Sequence, residues 1–245
     1  MKLTGNTIVI TGGSSGIGLG MALRFLKDGN KVIICGRRQD RLEAIAHAHP
    51  SIETRVCDIT NHKQRADFAA MVMANHPDVN VLVNNAGIQY ATAIGSGIDM
   101  TRVHGEIETN LVAVIHFCDL FVNQLSVNAN AAIINVSSGL GFVPLAATPV
   151  YCATKAAVHS FSLSLRHQLQ AKAVEVIELI PPSVDTELGN ERHADASHSH
   201  GGMPTAQFIS EAFQGLERQE LEIAVGQAAA LREKGQELFA SLNNR

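Results

Sequence analysis

Short, continuously apolar runs alternate along the chain with longer segments in which apolar residues recur every three or four positions. The first run is Thr7–Ile10, and a helical pattern follows from about Gly16 to Asp28, where Gly29 and Asn30 end it. Continuous β-branched runs separated by helices are typical of parallel strands that are covered on both faces. The pattern therefore predicts an α/β fold.

Six further apolar runs extend this alternation almost to the C-terminus. They are Lys31–Cys35, Glu53–Cys57, Val81–Val83, Ala132–Val136, Val174–Ile180 and Leu221–Val225. Helical patterns run through Arg41–Glu43, from an N-cap at Thr60 towards Asn75, from about Asn110 to Leu125, around Tyr151 and after the last strand. Right-handed crossovers make this a doubly wound Rossmann fold, a parallel sheet of about seven strands flanked by helices, with ligands at the carboxyl ends of the strands. Because no repeat or linker interrupts the pattern, we predict a single domain over residues 1–245.

The composition narrows the classes of partner. Net charge is −4 at pH 7, so no basic surface indicates nucleic acid or an anionic membrane. No apolar run reaches the roughly 20 residues that span a bilayer, and the N-terminus leads directly into a strand without an apolar signal segment. The four cysteines lack metal-type spacing and suit a reducing compartment. We expect a cytoplasmic protein that binds small molecules.

The turn after the first strand is rich in glycine and opens a helix, with the spacing Gly-x-x-x-Gly-x-Gly over residues 12–18. Glycine lets the backbone approach a pyrophosphate closely, and a helix N-terminus attracts that anion. A purely structural turn is the alternative, while the absence of Gly-Lys-Ser/Thr argues against a P-loop. We predict a dinucleotide contact from Gly12, Ser14, Ser15, Gly16, Ile17 and Gly18.

The residues after the second strand indicate which dinucleotide binds. An NAD site usually has an acidic residue here, whereas this chain has Arg37 and Arg38. Two guanidinium groups suit a 2′-phosphate, so we predict NADP(H) in preference to NAD(H), with a solvated basic turn as the alternative. Further cofactor contacts are predicted after the third and fourth strands, from Asp58 at the adenine, Ile59, Asn84, Ala86 and Gly87.

Tyr151 and Lys155 lie four residues apart and therefore share one helix face. A tyrosine with a pKa of about 10 is a poor acid or base at neutral pH, but a nearby positive charge can lower that pKa by roughly 1–3 units. The pair thus indicates acid–base chemistry, with an ordinary solvated helix pair as the alternative.

The glycine turn, Asn84–Gly87, Ser138 and the Tyr151/Lys155 pair together resemble the short-chain dehydrogenase/reductase family over essentially the whole chain. The resemblance implies that Tyr151 donates or accepts the proton and that Ser138 orients the substrate carbonyl. Because Ser137 adjoins it, the assignment of the serine is open by one position.

The resemblance assigns two further roles near the reacting atoms. Lys155 binds the nicotinamide ribose and lowers the pKa of Tyr151, so that both residues also contact the cofactor. Asn110 holds a water for proton relay, with a simple helix kink as the alternative.

The segment after the sixth strand departs from the family pattern. The family commonly has Pro-Gly there, whereas this chain has Pro181-Pro182, and Pro182 fixes φ and removes an N–H. The resemblance still assigns Pro181, Val184 and Thr186 to the nicotinamide amide and the phosphates. The Pro-Pro pair and the 201–204 segment resemble a bacterial subgroup that includes oxidoreductases linked with cell-wall D-alanylation operons.

The polar stretch 190–203 lies within a candidate substrate lid at about 187–215. A metal site would need convergent ligands, so we interpret its histidines, His193, His198 and His200, as part of a polar lid and predict no metal. The family resemblance implies a homotetramer or homodimer.

These features predict an NADP(H)-dependent oxidoreductase that transfers a hydride between the cofactor and a carbonyl or secondary alcohol substrate. One alternative is an NADP(H)-binding regulatory protein with little turnover. Another is a Rossmann-type methyltransferase that binds S-adenosylmethionine, but its acidic residue after strand two is absent.

Overall fold

The computed structural model describes residues 1–188 and 201–244, and its centre is a parallel sheet of seven strands. The strands are β1 (Thr7–Thr11), β2 (Lys31–Gly36), β3 (Ile52–Val56), β4 (Val81–Asn84), β5 (Ala132–Val136), β6 (Glu175–Ile180) and β7 (Glu222–Ala224). Their spatial order is β3-β2-β1-β4-β5-β6-β7. The chain thus winds outward from β1 in both directions, which confirms the doubly wound fold and places a switch point between β1 and β4.

Helices cover both faces of this sheet. They are α1 (Gly16–Lys27), α2 (Gln39–Ala48), α3 (His62–Asn75), α4 (Met100–Ile107), α5 (Ala113–Ser126), α6 (Pro149–Gln168), α7 (Thr205–Glu217), α8 (Gln227–Lys234) and α9 (Phe239–Asn243). On one face Phe25 and Phe213 pack with ring centroids 4.7 Å apart, and on the other Phe117 packs between Phe68 and Phe121. Alternate strand residues belong to these two cores, which explains why the inner strands β1, β4 and β5 are largely apolar and buried on both faces.

Two predicted helix starts were wrong. The N-cap of α3 is Asn61, whose Oδ1 accepts from the backbone N–H groups of Lys63 and Gln64, while the Thr60 hydroxyl donates to Asp58. The helix predicted from Asn110 is preceded by α4, which Asp99 caps, and residues 108–112 form a π-helical turn between α4 and α5. Local capping chemistry decides both boundaries.

The candidate lid at about 187–215 divides into parts with different surroundings. Residues 189–200, with His193, His198 and His200, lie outside the described residues. Residues 205–215 belong to α7, whose Phe208 and Phe213 are fully buried against the sheet. That part of the predicted lid is therefore a core helix.

Across the part of the chain that the structure describes, no helix is both long and apolar enough to cross a membrane.

Candidate active site

A cavity of about 790 Å³ opens at the carboxyl ends of the strands, where a doubly wound sheet is expected to bind its ligand. Nearly all of the predicted cofactor and catalytic residues lie on its wall. They are Gly12, Ser14, Ser15, Gly16, Ile17, Gly18, Arg37, Arg38, Asp58, Ile59, Ala86, Gly87, Ser138, Tyr151, Lys155, Pro181, Val184 and Thr186.

Asn84 lies behind the wall rather than on it. Its side-chain amide donates to Asn135 Oδ1 at 2.9 Å and to Cys118 Sγ at 3.3 Å inside the sheet. Asn85 lines the cavity instead, and its Nδ2 donates to the carbonyl of Thr11 at 2.9 Å and to that of Gly12 at 3.3 Å. Because neighbouring residues of a strand face opposite sides, a shift of one position exchanges the two roles. Asn85, rather than Asn84, thus lines the cavity and braces the glycine turn, and a contact of Asn84 with the cofactor stays a prediction.

Asn110 is also fully buried behind the wall, in the π-helical turn. Its Oδ1 accepts from Ile88 N at 2.9 Å, and its Nδ2 donates to Ile88 O at 2.9 Å and to Thr154 Oγ1 at 3.2 Å. These bonds tie the loop after β4 to α6, the helix that carries Tyr151. The Asn110 side chain therefore positions the site, and its role in a water relay stays a prediction.

The glycine turn forms a close-packed cradle before α1. Gly12 and Gly16 have φ of +66° and +54°, a region that glycine enters without strain. Among the described residues, no side chain caps the first backbone N–H groups of α1, and the helix begins at the cavity. Such free donors and the helix dipole favour an anion. The cradle therefore fits the pyrophosphate of a dinucleotide.

Gly18→Ala is expected to lower the free energy of unfolding by about 1–3 kcal/mol, because the cradle has no room for a methyl group. A Cβ at Gly18 would lie 2.4 Å from Gly12 O and 2.4 Å from Asn85 Nδ2, and the former is backbone that cannot swing away. Urea denaturation measures the change.

Gly105→Ala is the matched control, since a Cβ there meets nothing within 4 Å and lies within α4. This variant should gain about 0.5–1 kcal/mol. Equal stability of the two variants would contradict the packing of the cradle.

Ser138 and Tyr151 meet at the opposite end of the cavity. The hydroxyl of Ser138 is close enough to the Tyr151 phenol to act on its pKa, and it accepts from Leu140 N at 3.1 Å. The hydroxyl of Ser137 instead donates to the buried carboxylate of Glu178 at 2.5 Å. The geometry therefore favours Ser138 over Ser137 as the serine beside the tyrosine.

The pKa of the Tyr151 phenol is set mainly by burial in this structure. Burial raises the pKa of its phenol well above the usual value, and the nearby hydroxyl of Ser138 only partly offsets this effect. Lys155 does not reverse the shift, since its Nζ donates to Val136 O at 2.8 Å and lies 5.6 Å from the centroid of the Tyr151 ring. Lys155 is thus not among the groups that shift the pKa of Tyr151 in the protein alone, and its lowering of that pKa beside a bound cofactor stays a prediction.

Lys155 is itself buried, and burial lowers its pKa from 10.5 to about 8. The carboxylate of Glu178 acts in the opposite direction and favours the ammonium form. That carboxylate is fixed by Ser137 and by His159 Nδ1, which lies 2.7 Å from Glu178 Oε2. Sequence reasoning missed Glu178, because its partners come from other elements and nothing in the run 175–180 marks it.

The arginines lie at the glycine-turn end. Arg38 Nη2 donates to Ser15 Oγ at 2.8 Å, and Arg38 Nη1 donates to Glu187 Oε2 at 2.8 Å. Arg41, which the sequence analysis did not select, donates from Nη1 to Glu187 Oε1 at 2.5 Å. Arg41 lies three residues after Arg38, in the first turn of α2, and this spacing could have indicated that the two side chains are neighbours. Three basic side chains, Arg37, Arg38 and Arg41, thus come from one short stretch beside the cradle.

The segment after β6 keeps its place on the wall despite Pro182. Pro181 O accepts from Gly139 N at 2.9 Å, and Val184 pairs with Met203 in a short bridge. The methyl group of Thr186 packs against Gly16. Asp58, at the end of β3, accepts from the N–H and hydroxyl of Thr60 at 3.0 and 2.9 Å, so it also fixes its own turn.

Comparison with known proteins gives matches to dehydrogenases and oxidoreductases. The short chain dehydrogenase family model matches residues 6–197. The uncharacterized oxidoreductase DltE of Bacillus subtilis is 45% identical over 234 residues, 95% of this chain and 93% of that protein. The NADP-dependent 3-hydroxy acid dehydrogenase YdfG of Salmonella typhi is 32% identical over 84% of this chain and 86% of its own length.

Solved structures with the same fold contain nicotinamide dinucleotides. The short-chain dehydrogenase of Sphingobium yanoikuyae in complex with NADPH superposes with a TM-score of 0.81 and 26% identity, and the match covers 89% of this chain and 86% of that one. Other structures with this fold hold NADP or NAD.

Proposed function

Because the chain belongs to the short-chain dehydrogenase family, we propose that this oxidoreductase transfers a hydride between NADP(H) and a carbonyl or secondary alcohol substrate. The observation that carries the proposal is the arrangement of one cavity. Ser138, Tyr151 and Lys155 line one end, and the glycine cradle with Arg37 and Arg38 lines the other.

The residues of the cradle fit the cofactor. The start of α1 offers backbone donors to a pyrophosphate, and the arginines offer guanidinium groups to a 2′-phosphate. Lys155, Val184 and Thr186 line the same cavity and would hold the nicotinamide half and the phosphates. A bound NADPH supplies the hydride.

Tyr151 acts as the proton donor in carbonyl reduction. Its phenol is protonated at neutral pH, and an alkoxide-like substrate oxygen is basic enough to take that proton. Ser138, which lines the same cavity, supplies a second hydroxyl to the same oxygen. The ammonium group of Lys155 stabilises the phenolate that remains after proton transfer.

The wall near Ser138 and Tyr151 includes Leu140, Leu145 and Leu231. Such a surface favours a substrate with an apolar portion next to its carbonyl group. We therefore propose a small ketone or aldehyde of this kind as the substrate class.

The proposal is tested by following cofactor oxidation with a panel of ketones, aldehydes and 3-oxo acyl thioesters, using NADPH and NADH in parallel. Carbonyl-dependent oxidation of NADPH, faster than that of NADH, is the expected result. Tight binding of NADPH without turnover of any carbonyl would instead indicate a regulatory protein.

Arg38→Ala is expected to weaken NADPH binding by about 10–100-fold and to change NADH binding less than about twofold, because a charge-assisted hydrogen bond to the 2′-phosphate is lost. Isothermal titration calorimetry with each cofactor measures the dissociation constants of wild type and variant. Arg218→Ala removes another exposed arginine, paired with Glu220, and is the control. Equal losses for the two cofactors would contradict the assignment of Arg38.

A further inference from the structure

A carboxylate is bound where the arginines are expected to receive a phosphate. Glu187 bridges Arg38 and Arg41, with one carboxylate oxygen 2.8 Å from Arg38 Nη1 and the other 2.5 Å from Arg41 Nη1. Glu187 lines the cavity beside Ser15, which bonds the second terminal nitrogen of Arg38. One anion from the segment after β6 thus engages two guanidinium groups of the β2–α2 stretch.

We propose that Arg41 completes the 2′-phosphate site with Arg38 and that Glu187 is a built-in competitor for it, displaced when NADP(H) binds. The inference rests on the proposed use of NADP(H). It makes Glu187 a residue that sets affinity for the phosphorylated cofactor and leaves affinity for NADH unaffected.

The chemistry of the two anions supports competition. Guanidinium groups bind carboxylates and phosphates through the same planar fork of N–H donors, so both anions need the same atoms of Arg38. A phosphate monoester carries close to two negative charges and three acceptor oxygens, against one charge and two oxygens for a carboxylate. The phosphate therefore displaces Glu187. Because the two ion pairs of Glu187 must break, the net free energy of NADP(H) binding is smaller by the free energy of those pairs.

The competitor is charged under working conditions. Burial acts to raise the pKa of Glu187, but hydrogen bonds from Arg41 and Arg38 outweigh it, so that the pKa is lowered overall. At neutral pH the two ion pairs are present and oppose binding of the phosphate.

Glu187 is tethered next to the cofactor cradle. Thr186 packs against Gly16, and the Asp185 N–H donates to Met203 O at 2.8 Å, which fixes the backbone before Glu187. The carboxylate is therefore held at a high local concentration beside the arginines. A free carboxylate in solution would compete far less well.

The test compares wild type, Glu187→Gln and Glu217→Gln in titrations with NADPH, NADH, adenosine 2′,5′-bisphosphate and adenosine 5′-phosphate. Glu217→Gln is the matched control, since Glu217 is an exposed glutamate paired with Arg24 at 3.5 Å at the end of α7. Glu187→Gln should bind NADPH and the bisphosphate about 3–10-fold more tightly, with NADH and the monophosphate within about twofold of wild type. In an Arg41→Ala background, which itself binds NADPH more weakly, the gain from Glu187→Gln should shrink.

The outcomes separate this inference from the proposed function. If wild type prefers NADPH but Glu187→Gln leaves its affinity unchanged or lowers it, Glu187 is no competitor and the inference is overturned. An equal gain in affinity for NADPH and NADH would also overturn it. The removed negative charge would then act on any anionic dinucleotide and not on the 2′-phosphate in particular. If wild type shows no preference for NADPH, the NADP(H) proposal itself fails, and the inference with it.

Discussion

Tyr151→Phe is expected to lower kcat for NADPH-dependent carbonyl reduction by about 10²–10⁴-fold, the usual contribution of a positioned general acid. The substitution removes one hydroxyl from a fully packed ring and leaves the arginines and the glycine cradle intact. Affinity for NADPH should therefore change less than about threefold. Steady-state rates with a reactive ketone and a separate binding titration measure the two effects.

The second tyrosine of the chain provides the comparison. Tyr90 also lines the cavity, where the guanidinium of Arg102 lies over its ring at 5.2 Å. Tyr90→Phe keeps that ring and should retain most of kcat. A Tyr151→Phe enzyme as active as Tyr90→Phe would show that the proton comes from elsewhere.

Lys155→Met is expected to lower kcat/KM by about 100-fold or more and at the same time to raise the stability of the fold. The catalytic loss follows because no ammonium remains to stabilise the phenolate of Tyr151. The gain in stability follows from the pKa of Lys155, which burial lowers from 10.5 to about 8.

The size of the stability gain from Lys155→Met depends on pH. Below pH 8 the folded protein keeps a buried ammonium that is disfavoured relative to the unfolded chain, at a cost of about 3 kcal/mol for a shift of this size. Methionine removes this cost and loses one hydrogen bond from a charged donor to Val136 O, worth about 2 kcal/mol, so a net gain of about 1 kcal/mol is expected at pH 7. The gain should diminish as pH rises through 8 towards 10.5, because the wild-type lysine is then neutral in the fold.

Urea denaturation at several pH values and initial rates test this prediction together. Lys63→Met is the control, since Lys63 is an exposed lysine paired with Asp67. It should change neither stability nor rate appreciably. A destabilised Lys155→Met enzyme would mean that Lys155 has a structural role, and its loss of activity would then say little about catalysis.

Much of the fold could be predicted because its determinants are local. The apolar runs give the strands, and their continuity already indicates a sheet buried on both faces. The glycine turn follows β1 and the Tyr151/Lys155 pair lies on one face of α6, so short-range spacing places these residues too.

The surroundings of a side chain could not be predicted where one residue step or a distant partner decides them. Asn84 and Asn85 differ by a single position along β4, and only the direction of each side chain separates a sheet contact from a cradle contact. Asn110 lies in a π-helical turn, which no periodicity of 3.6 residues predicts.

Contacts between charged residues that are far apart in the chain could likewise not be predicted from the sequence. Glu187 reaches Arg41 across 146 positions of the chain, and Glu178 meets His159 only because β6 lies beside α6. Burial of Tyr151, which depends on residues from many elements, raises the pKa of its phenol, and the four-residue spacing to Lys155 does not reveal that effect.

The most direct test of the central claim follows the hydride itself. Wild type and Tyr151→Phe are given NADPH that carries deuterium at both C4 positions of the nicotinamide and a ketone that wild type turns over, and the alcohol is examined by mass spectrometry. The expected result is an alcohol from wild type that carries deuterium on its carbinol carbon, formed at least about 100-fold more slowly by Tyr151→Phe. Undeuterated alcohol, or equal rates for the two enzymes, would contradict hydride transfer with Tyr151 as the proton donor.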